Sequence, residues 1–389
     1  MALIFFAMLP VTMVVPVLKE IVKDRFASGN MQVALFTSLS MLGSFLFSPI
    51  AGLVSDKLGN RHKIIALSCF LDAGLFYLMT LVANIQWFLF LRFLEGAVHI
   101  FVIGLLLSAI SDRENHPESR FFRLGRLMGI AGMAVSMGAA IGMPLAAVGK
   151  QNAWIPFYVG SAIFISIGIL SFYYLDDMIH KEVQKFHFRD LLHSLVLNPY
   201  LLIPFSFHFI DRFTVGFVVS SFNIHMREEL HFSPGLAGAF MGLILFPMSL
   251  LSYPSALLAK RHGIFPMVLT GSLVYGTFLS LCGWTSEKEI LFVFMLLAGI
   301  GAGVMYVPSM ILASRMSPAG LNATVMSAFT GIGSLGFMTG PILSVCLESL
   351  YKTSFLKDQT MGELSTTFGM LEILLVILTL PFVKKLDYK

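Results

Sequence analysis

Residues 87–110 read WFLFLRFLEGAVHIFVIGLLLSAI. Apart from Arg92, Glu95 and His99 the run is almost wholly apolar, and its apolar residues do not alternate with polar ones. About 20 such residues suffice to cross the hydrocarbon core of a bilayer as a helix, whereas a barrel strand would alternate. Working outward, eleven further apolar runs lie at 2–18, 32–54, 64–84, 126–148, 154–174, 199–222, 235–259, 264–284, 290–314, 323–347 and 365–383. Lipid offers backbone N–H and C=O groups no partner, so all twelve are expected to be transmembrane helices. The composition agrees. Of 389 residues 57% are hydrophobic and only 12% charged, 37 are Phe, and the mean hydropathy is +0.83. A soluble domain carries about a quarter charged residues and could neither bury nor expose this much apolar surface. A soluble enzyme, a disordered chain and a disulfide scaffold are thereby excluded.

The net charge of +4 is small, and no basic run carries the interleaved aromatics of a nucleic-acid face, so no nucleic-acid partner is expected. Cys69, Cys282 and Cys346 all fall in apolar runs, where they are expected to pack as small hydrophobes rather than pair. A signal peptide is not expected at the start, because the first run lacks a basic leader and many spans follow it. If both termini face the cytoplasm, the inner loops hold Lys57, Arg61, Lys63, Arg113, Arg120, Arg123 and their counterparts, and carry about twice as many Lys and Arg as the outer ones. Both termini are therefore expected inside, the most natural setting being a bacterial inner membrane, and a monomer in contact with lipid is expected.

The longest inner loop, residues 175–198, divides the chain into an N-terminal six-helix half (1–174) and a C-terminal six-helix half (199–389). The halves echo one another. Gly52 and Gly59 recur as Ala256 and Gly263, Glu95-Gly96 as Ala298-Gly299, and Gly138 with Gly142 as Gly336 with Gly340. Parallel repeats of this kind are a feature of secondary transporters. The expected fold is thus an all-α integral membrane protein of 12 transmembrane helices in two pseudo-symmetric halves.

Between the second and third spans stands Gly52-Leu-Val-Ser-Asp56-Lys57-Leu-Gly59-Asn60-Arg61-His-Lys63. It resembles the loop signature G-x-x-x-D-[RK]-x-G-[RK]-[RK] of the major facilitator superfamily. Asp56, Lys57 and Gly59 match; Asn60 stands where that family has a basic residue, and Arg61 or Lys63 takes its place with Asp112 as the acid partner. The resemblance implies that Asp56 lies against the N-terminus of the eleventh span, around 322–324, where the helix dipole favours an anion. Arg92-Phe-Leu-Glu95-Gly96 is similar to the family's R-x-x-[QE]-G element. Gly129, Gly138, Gly142 and Pro144 are similar to the fifth-span element of the 12-span drug/proton antiporters, with Met143 inserted before the proline.

Eight ionisable side chains fall inside the spans: Asp72, Arg92, Glu95, His99, His208, Asp211, Arg212 and Glu372. At ~3 kcal/mol for each of the six that carry charge, they would cost roughly 15–20 kcal/mol unless paired, neutralised or hydrated. Arg92, Glu95 and His99 are spaced i, i+3 and i+7 and share a helix face. His208 lies one turn from Asp211, whereas Asp211 and Arg212 are sequence neighbours that point about 100° apart and need not touch. The resemblance implies that spans one, four, seven and ten line a central cavity, which makes Arg92, Glu95, His99, His208, Asp211, Arg212 and Tyr306 the candidate substrate and proton groups. Asp72 and Glu372, on spans three and twelve, are expected to be structural or near the interface. Phe209, Phe213, Phe240, Phe246 and Met305 would give a cavity suited to an amphiphilic organic solute.

There is no G-x-x-x-x-G-K-[ST], no H-E-x-x-H and no G-x-S-x-G, and His180 and His187 carry no metal-ligand pattern. No enzyme activity, metal or cofactor is expected. The expected function is secondary transport by alternating access, as proton-coupled export of a small organic or amphiphilic compound, with proton-coupled uptake of a metabolite as the alternative.

Overall fold

The bend that ends the first helix shows how local chemistry shapes this chain. Helix α1 runs over Ala2–Met13, shorter than the run 2–18 suggests. Pro16 has no N–H to offer the Thr12 carbonyl, and its ring collides with that carbonyl if the helix continues. The Val15 amide instead bonds Thr12 at 3.2 Å, and the chain passes through a turn into a π-helix over Lys19–Arg25. Val14, Val17, Leu18, Ile21 and Val22 stay buried throughout this passage.

The computed structural model describes residues 1–58, 60–115, 126–175, 196–318, 322–352 and 359–383. After α1 come α2 (Asn30–Leu58), α3 (Arg61–Leu81), α4 (Ile85–Asn115), α5 (Arg126–Leu145) and α6 (Ile155–Tyr174). The span Pro199–Glu228, here α7, is α-helical over Leu202–Phe217, π-helical over Val218–Phe222 and α-helical again to its end. Then follow α8 (Pro234–His262), α9 (Ile264–Cys282), α10 (Lys288–Met316), α11 (Asn322–Lys352) and α12 (Thr360–Thr379). No strand occurs among the described residues. Eleven of these elements are long and apolar enough to cross a membrane, and α1 is a shorter apolar helix. Their outward faces carry large apolar side chains such as Leu67, Trp87, Leu257, Leu350 and Ile377, the surface a bilayer solvates. All three cysteines are free; Cys69 and Cys282 are buried as expected, but Cys346 is exposed on α11, because it falls on the outward side of that helix.

Contacts divide the chain into two compact units, one of Met1–Val183 with His231–Gly242 and the other of Gln184–Leu230 with Leu243–Lys389. In the first, Gly138 and Gly142 of α5 seat against the backbones of Phe5 and Leu9 on α1, and Gly96 of α4 against Ser40 of α2. The first turns of α8 join this unit, since Gly235 and Gly238 rest on Ala147 and Met143. In the second, Gly336 and Gly340 of α11 seat against Phe209 and Phe213 of α7, and Gly299 of α10 against Leu243 and Ile244 of α8. The glycines that recur in sequence therefore make corresponding close approaches, the geometry small residues permit between membrane helices.

Gly263, between α8 and α9, has φ 96° and ψ 143°. A side chain there is strained by about 1–3 kcal/mol. Gly263→Ala is expected to lower unfolding stability by that amount in detergent, and unchanged thermal unfolding would contradict it. Its sequence counterpart Gly59, like the expected linker over 176–195, lies outside the described residues. The side chains of Gly52, Asp56 and Lys57 in α2, of Asp112 in α4 and of residues 322–324 in α11 are also outside them.

Candidate functional site

Each unit holds a buried polar cluster among its described residues. In the first, Arg92, Glu95 and His99 do share one face of α4, and all three are buried. Arg92 Nη1 donates to Glu95 Oε2 at 2.8 Å. The Ser40 hydroxyl donates to the same oxygen at 3.1 Å. Ser40 reaches it because Gly96 has no side chain, so the α2 backbone at Ser40 occupies the space a Cβ would take. The guanidinium also lies 4.5 Å from the centre of the Phe36 ring, a cation–π contact on a desolvated charge. One turn further along α4, His99 Nδ1 lies 3.3 Å from Asp72 Oδ2. The ring edge of Phe164 on α6 closes against His99 at 5.7 Å between centroids. Asp72 is fully buried and paired, the structural alternative of the two expected for it: it lies on the face of α3 that carries Ser68, Cys69, Ala73 and Phe76, which is buried, while Phe70 and Leu71 are exposed.

A valine at position 96 would drive its branched side chain into the Ser40 backbone, pushing α2 off α4. Gly96→Val is expected to cost about 1–3 kcal/mol through overpacking and to strip the Ser40 hydroxyl from Glu95. Thermal unfolding of the purified variant reads the first, and unchanged stability would contradict this packing.

In the second unit, Asp211 and Arg212 touch, which helix geometry left open: Arg212 Nε lies 3.2 Å from Asp211 Oδ2. The long arginine side chain folds back over the turn, which backbone direction alone does not reveal. The same guanidinium lies 4.7 Å from the centre of the Tyr306 ring on α10 and 3.9 Å from the Met248 sulfur on α8. The imidazole of His208 stacks on Phe329 at 4.0 Å and lies 6.0 Å from the Tyr306 ring. Beneath Asp211, the Thr214 hydroxyl donates to the Asp211 carbonyl at 2.8 Å and sits 2.8 Å from the Tyr275 hydroxyl on α9. Glu372 of α12 is fully buried, in keeping with the structural alternative expected for it, and accepts from the Ser272 hydroxyl of α9.

The structure thus brings together Arg92 with Glu95, His99 with Asp72, and Arg212 with Asp211, Tyr306 and Met248. Ser40, Phe36, Thr214, Tyr275 and Ser272 went unnoticed in the sequence, where isolated serines and aromatics in an apolar run carry no signal. Of the expected cavity aromatics, Phe213 stacks on Phe368 at 5.0 Å within the helix packing, and Phe246 is exposed. An apolar groove of about 450 Å³ runs along α7, α11 and α12, lined by Phe205, Phe209, Ile332 and Leu375, with Ser206 its lone polar member. No charged group lines it. Arg61 is buried. Among the described residues no group of His, Cys, Asp and Glu is arranged to hold a metal ion.

Comparison with known proteins gives a consistent picture. Residues 1–210 and 204–356 match the family described as Major Facilitator Superfamily. The multi-drug resistance efflux pump PmrA of Streptococcus pneumoniae is 25% identical over 348 residues, covering 85% of this chain and 84% of that one. Among solved structures, a bacterial homolog of the human lysosomal transporter Spinster, in an inward-facing and occupied conformation, superposes with a TM-score of 0.81 at 14% identity, covering 100% and 97% of the two chains. The nucleoside transporter NupG gives a TM-score of 0.78 at 12% identity, covering 100% and 98%. At such identities the structures establish the fold alone.

Proposed function

From the premise that this chain belongs to the major facilitator superfamily, and is an integral membrane transporter rather than an enzyme, we propose that it exports a small organic or amphiphilic compound in exchange for protons. The observation that carries this is the 25% identity, sustained over most of both chains, to a multidrug efflux pump. The buried clusters supply the chemistry. Glu95, held between Arg92 and Ser40, is the coupling carboxyl: released from Arg92 it takes a proton, and deprotonated it returns to the pair. Asp211, Arg212, His208 and Tyr306 bind the solute, with the carboxylate serving a cationic group and the aromatic ring its apolar body. No ATP is used; transport proceeds by alternating access in a 12-span fold. In that fold α1 and its continuation to Arg25 form the first span, since the twelve residues of Ala2–Met13 span only about 18 Å at 1.5 Å each.

The halves 1–174 and 199–389, joined by a cytoplasmic linker at 175–198, with both termini inside a bacterial inner membrane and a monomer as the working unit, complete the proposal. Its test is accumulation of a panel of amphiphilic dyes and drugs by inside-out vesicles energised with a proton gradient. Accumulation that collapses with a protonophore supports export. Exclusion of every compound, with proton-linked entry of a metabolite into right-side-out vesicles, would replace export by uptake.

A further inference from the structure

The carboxyl of Asp72 is fully buried on α3, and the export chemistry above makes no use of it. Its Oδ2 faces His99 Nδ1 at 3.3 Å, while its Oδ1 and the far ring nitrogen of His99, Nε2, are buried with no hydrogen-bond partner among the described residues. The titratable and charged groups around it are Cys69 on its own helix and Arg92, Glu95 and His99 on α4. From α6 comes the uncharged ring of Phe164, and from α2 only the Ser40 hydroxyl, which is given to Glu95. Charge counting then separates two subsites. Arg92 and Glu95 neutralise one another at 2.8 Å. Asp72 is left with His99 alone, and an unpaired buried carboxylate is costly.

We propose that Asp72 and His99 form a second proton-binding site, in which His99 relays and Asp72 stores. When water reaches Nε2, a hydronium gives it a proton and leaves as water. The Nδ1–H bond breaks as its proton passes to Asp72 Oδ2. The imidazole ends neutral with its proton on Nε2, and the carboxylate ends as a carboxylic acid, so one proton is gained and every bond is accounted for. Loading Asp72 removes a negative charge that repels the Glu95 carboxylate. Protonation here therefore tightens the Arg92–Glu95 pair one turn away on α4. This link to coupling rests on the proton-coupled function proposed above; the proton site itself does not.

Infrared difference spectroscopy on the reconstituted full-length protein tests it. Protein carrying carboxyl-¹³C aspartate should show a buried aspartic-acid C=O band that shifts with the label. The band should persist in Glu95→Gln and Asp211→Asn and vanish in Asp72→Asn. In His99→Phe it should remain, but its exchange with deuterium should slow on the order of a hundredfold, the scale of losing a positioned proton-transfer group. An aspartic-acid band that survives in Asp72→Asn overturns the proposal, as does exchange at the wild-type rate in His99→Phe. If Asp72→Asn does not fold, absence of any labelled band in Asp211→Asn overturns it equally. A band that behaves as expected in a protein whose transport ignores protons would leave the site standing and remove the coupling.

Discussion

Arg92→Leu is expected to destabilise the protein by about 3–5 kcal/mol, because it leaves Glu95 buried as an uncompensated charge. Arg92 and Glu95 are 2% and 0% exposed, and their contact is 2.8 Å. With so little water to screen it, the remaining carboxylate has only the Ser40 hydroxyl to lean on. The double variant Arg92→Leu with Glu95→Leu removes both charges and replaces them with apolar groups, so it should recover most of the loss. Unfolding of the purified single and double variants gives the coupling energy directly. If Arg92→Leu unfolds like wild type, Glu95 is not dependent on the pair and the site is drawn wrongly.

Glu95→Gln should have the larger functional effect. Glutamine has nearly the same volume, and its side-chain carbonyl still accepts from Ser40 and Arg92, so the contacts of α2 with α4 are kept, although Arg92 loses its counter-charge and the fold some stability with it. It cannot take up and release a proton in the physiological range. Proton-driven transport is expected to be abolished, while solute exchange across the membrane without a gradient remains measurable. Should Glu95→Gln keep full pH-gradient-driven flux and Asp211→Asn lose it, the coupling carboxyl lies on α7 instead. Full proton dependence in both would exclude both.

The spans were legible because bilayer solvation acts on single segments: an apolar run of the right length has one stable backbone conformation in lipid. The run 87–110 lies within α4, and 199–222 within the longer α7. At the first run the α-helix ends at Met13, because Pro16 has no N–H to offer the Thr12 carbonyl. The Arg92–Glu95 pair was legible for the same reason as the spans, since i and i+3 face one way whatever the fold does. Asp72 with His99 and Glu372 with Ser272 were not, because they depend on how each helix is rotated against its neighbour, which packing of the whole unit decides. The contact of Arg212 with Asp211 is a third kind of case, in which a long side chain overrides the direction of its backbone. The recurring glycines mark close approaches whose partners only the structure supplies: Gly138 and Gly142 seat α5 on α1, and Gly336 and Gly340 seat α11 on α7.

The central claim is that a solute and protons move in opposite directions through this chain. The most direct measurement is proteoliposomes with a pH indicator trapped in the lumen, given an amphiphilic cation that the vesicle assay identifies as a substrate, with no gradient imposed. Outward proton movement that begins with solute entry, scales with solute concentration and disappears in Glu95→Gln is the predicted result. Solute entry with no change in luminal pH, in protein whose folding is verified by its unfolding curve, would contradict it.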